Sequence, residues 1–206
     1  MRVALIGGTG SFGIALATRL AEAGYEVVIG SRDAERAAAA AAELGVEGAA
    51  NEAAARGADL VVLATKAEAT LDTARELRAA IGSTPVLSVA SELTFTKGGV
   101  LPTGEAASIA QRLQDVLDGP VVAGLHSLAA ANLGADVAPD EDALVCGDDP
   151  DAKALALELA GRITTGRAVD CGPLASARAL EGLTAVIVNV NKRYKAHAGI
   201  RVTGLP

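Results

Sequence analysis

Residues 2–13 read RVALIGGTGSFG, and this stretch decides the fold. The apolar run at 2–6 predicts a short buried strand, and the glycines that follow it open a helical pattern. Gly8, Gly10 and Gly13 have the spacing G-x-G-x-x-G. That spacing, between a strand and a helix, is the fingerprint of a turn that holds the pyrophosphate of a dinucleotide.

Each residue of this turn has a physical task. Gly8 permits the tight turn, Gly10 lets the backbone approach the pyrophosphate, and Gly13 lets the helix pack close to the sheet. The helix N-terminus presents free N–H groups and a partial positive charge to the phosphates. The hydroxyls of Thr9 and Ser11 can donate further hydrogen bonds. A structural turn without a ligand is the alternative interpretation.

The end of the second predicted strand, at 25–29, selects between two dinucleotides. NAD-binding chains usually carry Asp or Glu there, which binds the ribose hydroxyls. This chain has Gly30, Ser31 and Arg32 instead, and Arg36 lies one helical turn further on. Because two guanidiniums and a hydroxyl suit a phosphate dianion, we predict NADP(H). Arginines on a solvated helix face are the alternative.

Short apolar runs alternate with helical patterns along the chain, which predicts an α/β fold with a parallel sheet and crossover helices. Further strands are predicted at 46–50, 59–64, 85–90, 120–125, 143–146 and 167–170. Helices are predicted at 32–44, 51–56, 68–81, 105–117 and 176–197. Residues 94–104 are rich in Gly and Pro and are predicted to form a loop.

Composition argues against several classes of protein. The net charge of −7 disfavours a nucleic-acid partner, and no apolar run reaches the ~18 residues of a membrane helix. Cys146 and Cys171 are not spaced as metal ligands, so free thiols are expected. The chain begins with a strand pattern rather than a signal peptide. We therefore expect a cytoplasmic protein with no metal, membrane or nucleic-acid partner.

Five segments carry a resemblance to a known family. They are MRVALIGGTGSFG at 1–13, GSR at 30–32, VCGDD at 145–149, DCGPL at 170–174 and LTAVIVN at 183–189. Together they resemble the NADPH-dependent reductases of coenzyme F420, a 5-deazaflavin. The last three segments are more specific than the glycine fingerprint, which many Rossmann proteins share.

The resemblance implies a fold, a reaction and an assembly. The fold is a Rossmann-type, doubly wound, mostly parallel sheet with a small, mainly helical C-terminal domain. Residues 1–138 would bind NADP(H), and residues 139–206 would complete the cleft for the deazaflavin. The reaction is direct hydride transfer between the nicotinamide C4 and the deazaflavin C5 of coenzyme F420. The assembly is a homodimer.

The motifs and the resemblance together imply a set of cofactor-binding residues. These are Gly8, Thr9, Gly10, Ser11, Phe12, Gly13, Ser31, Arg32, Arg36, Thr65, Lys66, Ser91, His126, Leu128, Ala130, Thr184 and Leu205. Thr184 and Leu205 would contact the deazaflavin. The segment from His126 to Ala130 would line the site of hydride transfer. No catalytic side chain is expected, because direct hydride transfer needs only stacked rings and the exclusion of water.

Three residue hypotheses remain open alternatives. His126, just after an apolar strand, could donate a hydrogen bond to a ring carbonyl or could be a structural histidine. Lys66 could reach the pyrophosphate. The basic run of Lys192, Arg193, Lys195, His197 and Arg201 could attract an anionic substrate tail, or could form a solvated helix end.

Other functions fit the same dinucleotide half. The protein could reduce another small acceptor, such as an imine, a flavin or a metal chelate, or could be an NADPH redox sensor without turnover. A short-chain dehydrogenase is disfavoured, because neither Tyr25 nor Tyr194 is followed four residues later by Lys.

Overall fold

A computed structural model describes residues 1–205, and one eight-stranded sheet runs through most of them. The strands are β1 (Arg2–Ile6), β2 (Glu26–Ser31), β3 (Glu47–Ala50), β4 (Leu60–Leu63), β5 (Val86–Ser88), β6 (Leu93–Thr96), β7 (Gly99–Pro102), β8 (Val121–Gly124), β9 (Ala143–Gly147) and β10 (Ala168–Asp170). The helices are α1 (Ser11–Glu22), α2 (Ala34–Leu44), α3 (Asn51–Ala55), α4 (Ala67–Ile81), α5 (Ile109–Gln114), α6 (Ala130–Leu133), α7 (Pro150–Arg162) and α8 (Ala177–Tyr194), with a 3-10 turn at Leu174–Ser176.

The order of the strands is that of a doubly wound sheet. It runs β10-β9-β8-β5-β4-β1-β2-β3. From β3 to β8 all neighbours are parallel, whereas β9 is antiparallel to β8 and β10 is parallel to β9. The chain leaves β1 in one direction for β2 and β3 and later returns to its other side at β4. A switch point of this kind opens a crevice at the carboxyl ends of β1 and β4, where such folds bind ligands.

Both faces of the sheet are covered, which explains why its central strands are apolar throughout. Along β1, Val3 and Leu5 pack into one core with α1, α2 and α7, while Ala4 and Ile6 pack into a second core. The second core is completed by α3, α4, α5 and α8. Successive side chains of a strand point to opposite faces, so one strand supplies both cores. The predicted Rossmann-type class with a helical C-terminal region is confirmed.

The structure differs from the prediction between β5 and β8. Residues 93–102 form an antiparallel hairpin of β6 and β7, where a loop is predicted over 94–104. The helix predicted over 105–117 is shorter, because Ser108 begins α5 with a capping box. Its Oγ accepts a hydrogen bond from the Gln111 backbone N–H at 3.0 Å, and the Gln111 Oε1 accepts one from the Ser108 N–H at 2.9 Å.

The sheet continues across the expected domain boundary between residues 138 and 139. Strands β9 and β10 follow that boundary in the chain and extend the same sheet beyond β8. The division of the chain into two domains stays a prediction.

The segment after α8 is tied to the sheet by one buried carboxylate. The Asp142 side chain, fully buried, accepts hydrogen bonds from the backbone N–H of Arg167 and of Val202, each at 2.8 Å. Burial raises its pKa, but these backbone bonds and the Arg167 guanidinium outweigh burial and lower the pKa to about 2. Asp142 therefore stays ionised and fixes the chain end against β9.

No helix within residues 1–205 is both long and apolar enough to span a bilayer.

Candidate functional site

A cavity of about 230 Å³ opens at the carboxyl ends of β1, β2 and β4. It is lined by Gly7, Thr9, Gly10, Ser31, Arg32, Arg36, Asn51, Ala64, Thr65, Lys66, Ala69 and Thr73. The cavity lies at the switch point of the sheet and gathers the glycine-rich turn and the residues after β2. We call it the first cavity.

The glycines of the turn are required by close contacts. A Cβ on Gly8 would lie 2.7 Å from the Leu5 carbonyl oxygen, and one on Gly13 would lie 2.6 Å from the Gly8 Cα. A Cβ on Gly10 would meet only the Gly7 carbonyl oxygen, at 3.7 Å, so its outer side is open. The left-handed φ of the turn, +77°, belongs to Gly7, which lies outside the fingerprint. Gly8 is therefore needed for packing rather than for a positive φ.

The N-terminus of α1 has the form expected of a phosphate site. Gly10 is its N-cap residue, and no side chain caps it. The first N–H groups of the helix are thus left for an anion. Thr9 lines the first cavity, Ser11 is exposed, and Phe12 is half-buried with its ring packed on the core.

The end of β2 presents donors without a competing carboxylate. The Ser31 Oγ accepts a hydrogen bond from the Asp33 N–H at 3.2 Å, so its own proton is available. Arg32 and Arg36 are exposed and form no ion pair with any residue from 1 to 205. The Asp33 carboxylate caps α2, accepting from the N–H groups of Glu35 and Arg36 at 3.0 and 3.2 Å. These residues fit a 2′-phosphate.

Asn51 is a cavity residue that the motifs do not identify. It is 9% exposed, lines the first cavity, and its Oδ1 is buried without a hydrogen-bond partner. It begins α3 directly after β3, whose Ala50 pairs with Ser31 of β2. An unpartnered buried acceptor here suits an amino or hydroxyl group of a nucleotide. An Asn at the start of a helix is common as a cap, which is why the sequence gives no sign of this position.

Thr65 and Lys66 stand where the first cavity meets β4. Thr70 Oγ1 donates to the Lys66 carbonyl oxygen at 3.0 Å, so the Thr65 hydroxyl donates to Thr70 Oγ1 at 2.9 Å. The Thr65 Cγ2 lies against Gly7, where a Cβ would come within 2.8 Å. Lys66 is the N-cap residue of α4, and it also lines the cavity.

Ser91, His126 and Thr184 come together in a hydrogen-bonded group, although 93 residues separate the first from the last. Thr184 Oγ1 donates to the His126 carbonyl oxygen at 3.1 Å. With its proton used there, Thr184 Oγ1 accepts from the Ser91 hydroxyl at 2.8 Å. Helix α8 is thereby fixed to the ends of β5 and β8.

The His126 ring is neutral and offers an acceptor. Its Nε2 lies 3.2 Å from the Ala90 carbonyl oxygen, and since a carbonyl can only accept, Nε2 carries the proton. Its Nδ1 is buried without a partner. Burial lowers the pKa of His126 to about 4, and the bond to Ala90 offsets only part of this. In this tautomer the ring can only accept a hydrogen bond at Nδ1, which does not suit the expected donation to a ring carbonyl.

A second cavity, of about 700 Å³, lies between α1 and α6. It is lined by Thr9, Ser11, Ile14, Ala15, Thr18, Ala130, Ala131 and Gly134. Thr9 lines both cavities. Ala130 and Ala131 of α6 contribute only small side chains to this lining. Leu128, 6% exposed, packs inside the core beside it.

Two expected site features lie elsewhere. Leu205 is exposed beside β10, at the outer edge of the sheet, where it lines a concavity with residues 167–170. The basic run that begins in the last turn of α8 does not form one cluster, because Arg201 pairs with Asp140. Lys192 and Arg193 instead line a concavity at the tip of the β6–β7 hairpin. Both cysteines are free thiols, and residues 1–205 hold no group of three or more potential metal ligands.

The fold and the first cavity define a class, the Rossmann dinucleotide-binding proteins. A family model described as "NADP oxidoreductase coenzyme F420-dependent" matches residues 2–92. The chain belongs to the family of F420-dependent NADP reductases, which confirms the resemblance stated from the sequence motifs.

Three relatives support this assignment over the full chain. The F420-dependent NADP reductase of Methanothermobacter thermautotrophicus is 38% identical, covering 100% of this chain and 96% of that protein. The one from Methanocaldococcus jannaschii is 36% identical, covering 100% and 99%. A crystal structure described as an F420-dependent NADP reductase, from Arthrobacter sp. FB24, superposes with a TM-score of 0.86 at 26% identity, covering 99% and 100%.

Proposed function

We propose that this oxidoreductase transfers a hydride directly between NADP(H) and coenzyme F420. The observation that carries the proposal is the full-length similarity, at 38% identity, to a relative named F420-dependent NADP reductase. The geometry supports it, because a cavity suited to NADP(H) and a second cavity lined by small residues share the wall formed by Thr9.

The first cavity would hold the adenosine and pyrophosphate of NADP(H). The N-terminus of α1 receives the pyrophosphate, and Lys66 stands beside it. The Ser31 hydroxyl and the guanidiniums of Arg32 and Arg36 receive the 2′-phosphate. Asn51 Oδ1 accepts from the nucleoside. When bound, the nicotinamide supplies the hydride and the deazaflavin accepts it.

The group around Thr184 would orient the rings where the hydride passes. Nδ1 of neutral His126 can accept from an amide N–H of the nicotinamide, and Thr65 lines the approach from β4. The Ser91 hydroxyl keeps its lone pairs for a donor on either ring, because it donates its own proton to Thr184 Oγ1. Leu128, buried behind Ala130, helps to exclude water. Residues 1–138 would act as the NADP(H) domain and residues 139–206 would complete the cleft.

A homodimer is the assembly that we propose, in the cytoplasm and without a nucleic-acid partner. Of eight exposed large apolar residues within 1–205, five lie on the hairpin or on α8: Phe95, Leu101, Val186, Val190 and Tyr194. Val186, Val190 and Tyr194 recur every four residues and form one stripe of the helix. A surface of this kind suits a second copy of the chain. The net charge of −7 supports the absence of nucleic acid.

A spectroscopic experiment tests the reaction. The purified protein is mixed with NADPH and oxidised coenzyme F420, and the visible absorbance of the deazaflavin is followed, with NADH as the control. Rapid loss with NADPH and little with NADH is the expected result. NADPH binding without any loss overturns the proposal and leaves two functions to test: reduction of another small acceptor, or redox sensing without turnover.

A further inference from the structure

A concavity of about 570 Å³ lies between the tip of the β6–β7 hairpin and the end of α8, outside both cavities described above. We call it the hairpin pocket, and it is lined by Thr96, Lys97, Gly98, Gly99, Asn189, Lys192 and Arg193. No carboxylate lines it, although the chain carries 25 acidic residues. The pocket therefore has a strong local positive charge on an acidic protein.

The distribution of unpaired cations sets the hairpin pocket apart. Of the 18 Lys and Arg residues, nine form an ion pair with a carboxylate within residues 1–205. Of the nine others, Arg32, Arg36 and Lys66 line the first cavity. Lys97, Lys192 and Arg193 line the hairpin pocket. Cations left without internal partners are thus concentrated at two places, and the first of these fits phosphate groups.

The wall of the hairpin pocket is held in place by the protein itself. The Asn189 side chain accepts from the Val100 N–H at 2.8 Å and donates to the Val100 carbonyl oxygen at 2.7 Å. A Cβ on Gly99, at φ +137°, would come within 2.7 Å of the Asn189 Oδ1. Thr96 Oγ1 donates to the Gly99 carbonyl oxygen at 2.8 Å and accepts from the Gly98 N–H at 3.2 Å. The turn that carries Lys97 is therefore fixed against α8.

Lys192 is also oriented. Its ammonium lies 5.3 Å from the centroid of the Phe95 ring, within the range of a cation–π contact. Phe95 is 69% exposed and holds the ammonium at the rim of the pocket. The ring faces only one side of the ammonium, so N–H donors on its other side are left for an anion.

Helix α8 connects the hairpin pocket with the group around Thr184. Asn189 is five residues and Lys192 eight residues beyond Thr184, which is about 7.5 Å and about 12 Å along the helix axis at ~1.5 Å per residue. An elongated ligand with its ring system at Ser91 and Thr184 would extend an anionic group into the pocket over this distance.

We propose that the hairpin pocket binds the anionic tail of the deazaflavin substrate through Lys97, Lys192 and Arg193. The ligand chemistry is that of an oxyanion, which the tail offers both as a phosphodiester and as glutamate carboxylates. The proposal rests on the function proposed above. It assigns the pocket a role in acceptor affinity and none in NADP(H) binding or in the transfer step.

The test compares the wild type with the variant Lys97→Gln/Lys192→Gln/Arg193→Gln. Each is assayed with three acceptors: the full deazaflavin, the deazaflavin with its phosphodiester but no glutamates, and the deazaflavin without either group. We expect the variant to raise KM for the full acceptor by roughly ten-fold, from three solvent-exposed contacts, and to leave kcat and the KM for NADPH unchanged. The KM for the acceptor without a tail should not change.

Two further measurements make the result specific. The control Arg56→Gln/Arg75→Gln/Arg78→Gln removes the same charge from exposed ion pairs that line no described cavity, and it should leave every KM unchanged. The full deazaflavin is also titrated in the absence of NADP(H), and its fluorescence is followed. The pocket variant should bind it with a higher Kd than the wild type, and the difference between the two should decrease as salt is added.

Each outcome distinguishes the pocket from the reaction. Loss of the effect with the phosphodiester-only acceptor assigns the pocket to the carboxylates, and its persistence assigns it to the phosphodiester. If the variant raises KM equally for all three acceptors, or for none of them, the proposed role of the hairpin pocket is wrong. Hydride transfer by the wild type still supports the proposed function in that case. If the wild type transfers no hydride to any deazaflavin, the proposed function is wrong. If the variant then also binds the full deazaflavin with the wild-type Kd, the proposed role of the hairpin pocket is wrong as well.

Discussion

At the scale of single residues, we expect Arg32 and Arg36 to decide which dinucleotide the first cavity prefers. Neither pairs with a carboxylate within the described chain, and both line the cavity beside Ser31. We predict that Arg32→Gln/Arg36→Gln raises the KM for NADPH about 30-fold, equivalent to roughly 1 kcal/mol for each guanidinium, and leaves that for NADH unchanged. Steady-state kinetics with both cofactors measure this. Equal changes for NADPH and NADH would assign the arginines to another part of the nucleotide.

We expect Lys66 to bind the pyrophosphate, a role that the same assays can test separately. Lys66 lines the first cavity together with residues of the glycine-rich turn. We expect Lys66→Ala to weaken NADPH and NADH to the same extent, a few-fold, because the pyrophosphate is common to both. Lys153→Ala, which removes a lysine paired with Asp170, is the matched control. An unaltered affinity for both cofactors in Lys66→Ala would contradict contact with the pyrophosphate.

His126 makes stability depend on pH. Its pKa falls from the ordinary 6.5 to about 4 on folding, mainly through burial. The folded state binds the proton less tightly than the unfolded state, so stability is complete above pH 6.5 and falls as pH decreases towards 4. At pH 4 the loss is on the order of 3 kcal/mol. Urea unfolding at pH 7 and pH 5 should show a smaller pH dependence for His126→Gln than for the wild type; equal slopes would contradict the neutral, buried ring.

Much of the site at this scale could be predicted from the sequence, because short spacings fix it. The fingerprint and the residues after β2 place Thr9, Ser31 and Arg32 at one sheet edge by local geometry alone. Gly7 and Asn51 could not be found, because their roles come from contacts across strands: Gly7 against Thr65, and Asn51 beside Gly30. Such contacts depend on register, which spacing along the chain does not encode.

At the scale of elements, the β6–β7 hairpin depends on α8. Asn189 makes both of its side-chain hydrogen bonds to Val100. We predict that Asn189→Ala lowers the free energy of unfolding by about 2 kcal/mol, because it leaves buried backbone groups unpaired. It should also increase hydrogen exchange over residues 93–102.

The neighbouring Asn191 provides the control for this prediction. Its Oδ1 accepts from the Ala198 N–H at 2.6 Å, so Asn191→Ala should increase exchange after α8 and leave the hairpin protected. Protection of residues 93–102 that survives in Asn189→Ala would mean that β-pairing alone holds the hairpin.

The hairpin also marks where element prediction was wrong. Its glycines and proline favour a loop, and most of its strand residues are exposed, so no alternation of burial identifies it. Its order comes from packing on α8, about 90 residues later. The antiparallel β9 has a similar cause: the connection from β8 contains only the short α6, and without a long crossover helix the chain returns in the opposite direction.

At the scale of the whole molecule, the apolar stripe of α8 is the feature that predicts assembly. If it joins two copies, Val186→Asp/Val190→Asp should convert a dimer into a monomer, because two buried carboxylates would lie in the interface. Light scattering coupled to size exclusion gives the mass. Val137→Asp, at a more exposed apolar residue away from the hairpin and α8, should leave the mass unchanged. A wild-type monomer at micromolar concentration would contradict the assembly.

Thr9 lines both cavities, and this shared wall has a thermodynamic consequence. Two ligands that contact one shared residue can influence each other's affinity, and linkage makes any such influence reciprocal. Any factor by which NADP(H) tightens or loosens the second ligand is the factor by which the second ligand changes NADP(H). A substitution at Thr9 therefore alters heterotropic coupling by the same amount in both directions, and the order in which the two ligands arrive leaves the total binding free energy unchanged.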